Sequence, residues 1–541
     1  MSARRLSLGL DLSTQSLSAM VLDIQARTRL AEHSLDYAKD ARLNVFGIRP
    51  DDYILPPRTE GEADQPAAMY LAALDAMLSD LSRNVPLREV RVINVSGQQH
   101  GHVYLNKQAV ASFTQLRYEK TESQDLATLL ACSFAYDRAP IWMTSNTLAE
   151  AAFVRGGVGG KERLIKLSGS DAQLRFTGIV VRHVARQNPE VYASAQTIQL
   201  ISSFIPAVLS ANPLVPTDFG NACGTSLLDY RLKRWSAPLV DAVSRGLPGG
   251  RRALRRKLTA VVAPDSIVGR IAPYFVRKYG FSPDCRIAAG SGDNPQSKVL
   301  IGGDLLSLGS SFVNMISTDG KVRDMTGDAC AMYDGIGRPF LFGCRTNGTL
   351  VWDRVRALYG MEKDDYISAE AALESSPIGQ ALVFWQPRDE SFPASGSFDL
   401  ARMDTTAGLE TDYAGIVESG LAAVYLHSES FAAPTGSPLY VMGGATNSPG
   451  VVRRVAAIWG RPVVVTGKTG AALGAAVAGV SALLKSEGAG FDADEYSATL
   501  VQRSEPVGPF PEDTAALHRP GGYMERFAQA EERLLREHPL Q

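Results

Sequence analysis

The sequence predicts an α/β protein of two domains with ligands bound between them, on three observations. The chain opens in short alternating strands and restarts in the same manner near Cys285, with helical patterns between and after these stretches. In both halves the strand ends carry Gly, Ser, Thr and Asp, a weak repeat of architecture and not of sequence. At roughly 150 residues per domain, 541 residues make three to four domains' worth of chain, or two large domains.

The first unit begins with Leu6, Leu8 and Leu10 alternating with Ser7, Gly9 and Asp11. Turn-rich Ser13-Thr14-Gln15-Ser16 follows, then Leu17 to Asp23 and Thr28 to Tyr37. Short strands and tight turns of this kind predict an antiparallel meander. The spacing of Met69, Leu71, Leu74, Met77, Leu78 and Leu81 predicts a helix over 67–82. A buried strand, Val90 to Val95, leads into Ser96-Gly97-Gln98-Gln99-His100-Gly101. The stretch 145–260 reads mostly helical, and the pattern restarts with a strand from Arg286 to Ala289 before Gly290-Ser291-Gly292-Asp293-Asn294-Pro295. A short strand ends in Ser307-Leu308-Gly309-Ser310-Ser311, and Tyr523 to His538 reads as an amphipathic helix.

Composition excludes several classes. The sum of 55 Lys and Arg against 57 Asp and Glu, net −2, gives no basic field for nucleic acid and no acidic tail. Apolar residues at 45% and charged residues at 21% are a globular mix, which excludes global disorder. Five cysteines without a CxxC pair support neither a disulfide scaffold nor a structural zinc. The apolar N-terminal stretch is broken by Asp11, unlike a signal peptide. The longest small-apolar run, Ala471 to Leu484, falls short of the roughly 18–20 residues of a membrane span. The expectation is a cytoplasmic protein with neither nucleic acid nor membrane as partner.

Five stretches have the make-up of ligand sites. At Asp11-Leu12-Ser13-Thr14-Gln15-Ser16 a strand-end carboxylate precedes hydroxyls and turn amides, which suits Mg²⁺ and phosphate; an ordinary hairpin with an Asx turn reads the same. Ser307 to Ser311 is a second hydroxyl-rich turn with the same two readings. Gly443-Gly444-Ala445-Thr446-Asn447 follows a strand, with Ser448 as N-cap, Pro449 as first helical residue and Gly460 as stop. Its glycines would let a flat base approach, or serve only a close strand–helix crossover.

At Gly292-Asp293-Asn294-Pro295, Asn294 can cap and Pro295 start a helix whose positive end keeps Asp293 ionised, as a proton acceptor or as a simple capping residue. Ser96 to His102 offers Gln and His side chains suited to a polyol, or a satisfied loop histidine. His100 and His102 lack a third metal ligand nearby.

Three stretches imitate sites. Gly156-Gly157-Val158-Gly159-Gly160-Lys161-Glu162 has the wrong spacing for a phosphate loop and no Ser or Thr after the lysine. Gly470-Ala471-Ala472-Leu473-Gly474 reads as small residues for tight helix packing. The Arg251–Lys257 run reads as a solvated helix face.

In their order along the chain these stretches resemble the FGGY carbohydrate kinases of the actin, sugar-kinase and Hsp70 superfamily. The resemblance runs from about Leu6 to about Pro539. Ser-Gly-Gln-Gln-His-Gly, Asp171 to Gly178 and Tyr279-Gly280-Phe281 are similar to the xylulokinase branch, in its longer eukaryotic form. The resemblance implies two actin-like (ribonuclease H-like) domains around a central ATP/sugar cleft. Residues 1–285 would form the sugar-binding domain with the first phosphate turn. Residues 286–541 would form the nucleotide-binding domain, its C-terminal helix free to pack back on the first.

Carried over by residue, the resemblance implies Asp293 as catalytic base and sugar contact. Gln99, His100, Arg175 and Asn294 would be sugar ligands, and Asp11 the Mg²⁺-associated acid. Thr14, Gln15, Gly309, Ser310 and Ser311 would touch phosphates, and Gly443, Gly444 and Asn447 adenosine. The chain departs from the family at Trp142-Met143-Thr144-Ser145-Asn146, where an acid often stands, and at Gln99, where many bacterial members have Met. The implied activity is phosphorylation of D-xylulose by ATP with Mg²⁺, in a monomer or homodimer. Ribulose, another pentulose or a polyol is the alternative substrate, and an actin- or Hsp70-like ATPase the alternative class.

Overall fold

The computed structural model describes residues 4–118, 120–403, 405–431, 437–467 and 469–540. The chain forms two compact units, each assembled from several stretches: Met1–Gly302, Ala331–Pro339 and Thr469–Leu500 in the first, and Gly303–Cys330, Phe340–Lys468 and Val501–Gln541 in the second. A single cut between residues 285 and 286 does not reproduce them.

In the first unit Leu6–Leu12 pairs antiparallel with Ser16–Asp23, and that strand pairs with Thr28–Asp36, the expected meander. On its other side Leu6–Leu12 runs parallel to Val90–Gly97, to which Arg286–Ala288 and Ser291–Gly292 add in parallel. Leu6, Leu8, Leu10 and Leu12 join one buried core with Met69, Leu74, Met77 and Leu78 of the helix Ala67–Asn84. The opposite face of the first strand is covered too: the helix Ala471–Ser486 lies so close that the Ser7 hydroxyl donates to the Ala476 carbonyl at 2.7 Å.

Small residues make that approach possible. A Cβ at Gly9 would stand 2.1 Å from the Ala472 carbonyl oxygen, and one at Gly474 would stand 1.9 Å from that of Gln296. The packing role expected for Gly470–Gly474 is thus observed. The stretch 145–260 holds the expected helices but also the strand Ala195–Leu200, which pairs antiparallel with His102–Asn106.

In the second unit Leu305–Leu308 pairs antiparallel with Phe312–Ser317, which pairs with Pro339–Arg345. Leu439–Met442 and Val463–Val465 extend the sheet in parallel on the other side. Ser448 caps the helix Pro449–Trp459 by accepting from the Val451 amide, Pro449 is its first residue, and Gly460 ends it with φ +58°, all as the sequence predicts. Val452, Val455 and Ile458 face the core.

The C-terminal helix Tyr523–Glu537 belongs to this second unit. Its apolar side is filled locally: Phe527 stacks on Phe384 with ring centroids 5.3 Å apart. The late helix that completes the first unit is Ala471–Ser486. Among the described residues no helix is long and apolar enough to cross a membrane.

Candidate active site

The two acids singled out in the sequence lie in the first unit and sense each other. Asp11 is the penultimate residue of the first strand, partly buried, and accepts from the Ser96 hydroxyl at 2.6 Å. Burial pushes it up to about 6, against the lowering effect of that hydrogen bond. Asp293 is the first residue of the helix Asp293–Lys298, and its Oδ1 accepts from the Asn294 amide at 2.8 Å. The residue preceding the helix is Gly292, so Asn294 does not cap it.

Burial, joined by the negative charge of Asp11, pushes Asp293 up to about 7. The helix end therefore does not keep this carboxyl fully ionised at neutral pH. A helix of six residues offers little dipole, and desolvation outweighs it.

The polyol-type side chains gather around Asp293 and the neighbouring loop. Gln99 accepts from Asn294 Nδ2 at 2.8 Å, and its own amide reaches the Met332 sulfur at 3.6 Å. His100 adopts a left-handed backbone, φ 69°, uncommon for a non-glycine residue. Its ring stacks on Phe176 at 4.9 Å, and Nδ1 lies 2.9 Å from the Gly224 carbonyl. A carbonyl only accepts, so Nδ1 carries the proton and Nε2 is left as an acceptor. Burial, with the Arg175 guanidinium acting in the same direction, lowers His100 to about 3 and keeps it neutral. His102 spends both ring nitrogens, on the His100 carbonyl and the Tyr104 hydroxyl, each at 3.0 Å.

The first turn is held by its neighbours. The Thr14 hydroxyl donates to Gln98 at 3.3 Å and accepts from the Trp142 indole at 2.8 Å, while the Thr14 carbonyl accepts from Gln65 at 2.8 Å. Gln15 is exposed. Of the departing loop, Thr144 is buried and donates to the Ala63 carbonyl at 3.1 Å, and Asn146 donates to Thr59 at 3.2 Å. Both line a cavity of about 430 Å³ with Arg58, Glu62, Asp64 and His183.

The nucleotide-type turns meet in the second unit. Within Gly309-Ser310-Ser311 the Gly309 amide donates to the Ser311 carbonyl at 3.2 Å. The amides of Gly348 and Thr349, at the start of the helix Thr349–Leu358, donate to the carbonyls of Ser310 and Gly309 at 3.2 and 3.0 Å. Gly443, φ +108°, packs so tightly that a Cβ there would stand 2.3 Å from the Leu308 carbonyl oxygen. Only glycine meets both demands, and this brings Gly444 to Asn447 beside the hydroxyl-rich turn.

Gly348 and Thr349 were not among the predicted residues. The Asn347-Gly348 pair marks a turn but not what it touches. Trp352, an aromatic just beyond it, is core: it is buried and packs edge-on against Phe312 at 5.4 Å.

Two α/β units, one holding paired acids beside a polyol-type cluster and the other a joined pair of glycine- and hydroxyl-rich turns, have the make-up of a sugar kinase. The chain belongs to the FGGY family of carbohydrate kinases: that family's N-terminal domain matches residues 137–300 and its C-terminal domain residues 384–483. The chain is 29% identical over 534 residues to the "Probable D-xylulose kinase A" of Aspergillus fumigatus, covering 90% of each. It is 28% identical over 554 residues to the xylulose kinase of Rattus norvegicus, covering 99% of this chain and 98% of that one.

A solved structure, the xylulose kinase of Rhodospirillum rubrum, superposes with a TM-score of 0.78 at 16% identity, covering 98% of this chain and 99% of the other. That likeness shows the two-domain, actin-like α/β fold. The protein is a carbohydrate kinase, with ATP and a sugar as its substrates, and the actin- or Hsp70-like ATPase alternative falls away.

Proposed function

We propose that the protein transfers the γ-phosphoryl group of ATP to the terminal hydroxyl of D-xylulose, giving D-xylulose 5-phosphate, with Asp293 as general base. The observation that carries this reading is the Asp293 carboxyl, pushed up to about 7 and set beside Asn294, Gln99 and Asp11. A base is most useful when its pKa lies near the working pH. The sugar is suggested by the names of the Aspergillus fumigatus and Rattus norvegicus relatives.

In this reading Asp293 orients the hydroxyl and takes its proton. The transition state of phosphoryl transfer is loose, so little proton transfer is needed early and positioning contributes most. His100 accepts a sugar hydroxyl at Nε2, and Arg175 and Asn294 donate to others. Thr14, Gln15, Gly309, Ser310 and Ser311 contact the phosphates. Gly443, Gly444 and Asn447 take the adenosine.

Mg²⁺ fits Asp11. The ion keeps most of its waters and needs only one or two protein carboxylates, and Asp11 is a strand-end carboxylate with one oxygen on Ser96. No cluster of three or more potential ligands is found among the described residues. When bound, the ion would neutralise charge on the phosphoryl oxygens. We place the reaction in the cytoplasm, in a monomer or homodimer.

The test is a coupled assay of ADP release against a panel of ketoses and polyols. D-xylulose should give the highest kcat/KM. A higher value for ribulose or a polyol, with D-xylulose inert, overturns the substrate.

A further inference from the structure

We propose that Asp218 is a positioning residue for the reaction, holding the turn from which Asp293 projects. The inference rests on the reading of Asp293 as the base. Asp218 ends the short strand Thr217–Asp218 and is fully buried. Its Oδ2 accepts from the Ser291 hydroxyl at 2.7 Å and from the Asn221 amide at 2.9 Å. Its Oδ1 has no hydrogen-bond partner among the described residues. The groups that act on it are neutral donors of Ser291, Asn221 and Gly220. A buried carboxyl without a cation is costly to ionise, and the hydrogen bonds it accepts offset part of that cost.

One of those bonds is made two residues before Asp293. Ser291 and Gly292 form a strand paired with Ser96 and Gly97, and Ser96 pairs on its other side with Asp11. Asp11, Ser96 and Ser291 thus form one row across the sheet. Asp11 receives the hydroxyl of Ser96 at one end and Asp218 that of Ser291 at the other.

Gly292 is clamped in turn. A Cβ on it would meet Gln99 Cγ at 2.6 Å and Asn221 Oδ1 at 2.9 Å. Asn221 is fixed by Asp218 and by its own donation to Ser202 at 2.8 Å, and Gln99 is fixed by Asn294. The two side chains nearest Gly292 are thereby tied to Asp218 and to Asn294. A carboxyl that must meet a hydroxyl within about 0.5 Å needs such support.

The experiment compares D218A, D218N, S291A and D293A in steady-state kinetics of the full chain, with melting curves. Asparagine can place its carbonyl oxygen where Oδ2 stands and keep both hydrogen bonds, whereas alanine keeps neither. Misplacement of a reacting group by about 1 Å costs about 100-fold, so D218A should lose about 10- to 100-fold in kcat with sugar KM within about threefold. D218N should stay within about threefold of the parent, and S291A should lose about fivefold or more.

If D218A does not fold, S291A and D218N carry the test. Parent-level kcat in S291A, or a D218N as impaired as D218A, overturns the positioning role. So does a D218A at parent level while D293A is inactive. A D293A that keeps its turnover overturns the base itself, a distinguishable failure.

Discussion

Asp11 and Asp293, from opposite ends of the first unit's longest stretch, come together so that the charge of one raises the affinity of the other for a proton. Removing that charge should favour the ionised form of Asp293. Asp11→Asn is therefore expected to lower the Asp293 titration below about 7, read by carboxyl NMR of the protein free of nucleotide. An unchanged midpoint would separate the two groups.

His100 is neutral and buried, with one ring nitrogen committed to the backbone. His100→Ala should raise the sugar KM by about tenfold or more, the worth of a buried hydrogen bond, and leave ATP affinity within about twofold. A sugar KM at parent level would remove it from the sugar contacts.

Asp218 makes a prediction for stability as well as for rate. Burial holds it at about 7 in the folded chain, against about 3.9 when unfolded. Between those values the folded form binds more protons, so its stability falls as pH rises through that window and levels off above it. Asp218→Asn carries no such penalty. Its advantage over the parent should be near zero at about pH 4 and grow to at most about 4 kcal/mol at about pH 8, measured by urea unfolding at both pH values. A difference that does not change with pH would refute this account.

Gly474 sits within a helix, where alanine normally gains about 1 kcal/mol. Here the new methyl would stand 1.9 Å from a backbone oxygen, and overpacking of a rigid neighbour costs about 1–3 kcal/mol. A contact this short with rigid backbone puts the cost at the upper end, so Gly474→Ala should lower stability by up to about 2 kcal/mol net. Because the oxygen belongs to Gln296 in the Asp293–Lys298 helix, kcat should fall as well. Denaturation and turnover together check it.

Ser448 caps its helix through the Val451 amide at 3.1 Å. Ser448→Ala should cost about 1 kcal/mol, read as a lower unfolding midpoint.

Features encoded over a few residues were legible in the chain. The meander, the helix after residue 67, the Ser448–Pro449 start and the Gly460 stop each depend on neighbours in sequence. The acids at 11 and 293 stood out only through the order of the motifs along the chain, since each strand-end carboxylate taken alone reads equally well as a turn or capping residue. Asp218 was not, since nothing near it in sequence distinguishes a buried acceptor from a surface turn. Gly348 escaped for the same reason, its role being to fit against Gly309 and Ser310. The protonation of Asp293 was misjudged because local sequence displays the helix end but not the burial. The apolar side of a helix does not say which sheet it covers, and this hid the packing of Ala471–Ser486 on the first strand.

The helix Ala471–Ser486 covers a strand that leaves the ribosome some 460 residues earlier. Until it emerges, one side of the nascent sheet, with Ser7, Gly9 and Asn94, has no partner. A truncated product ending before residue 471 would therefore carry an open, adhesive surface, and chaperones should retain it. Full-length synthesis thus acts as its own checkpoint, since the acids at 11 and 293 gain their final setting only when most of the polypeptide has been made.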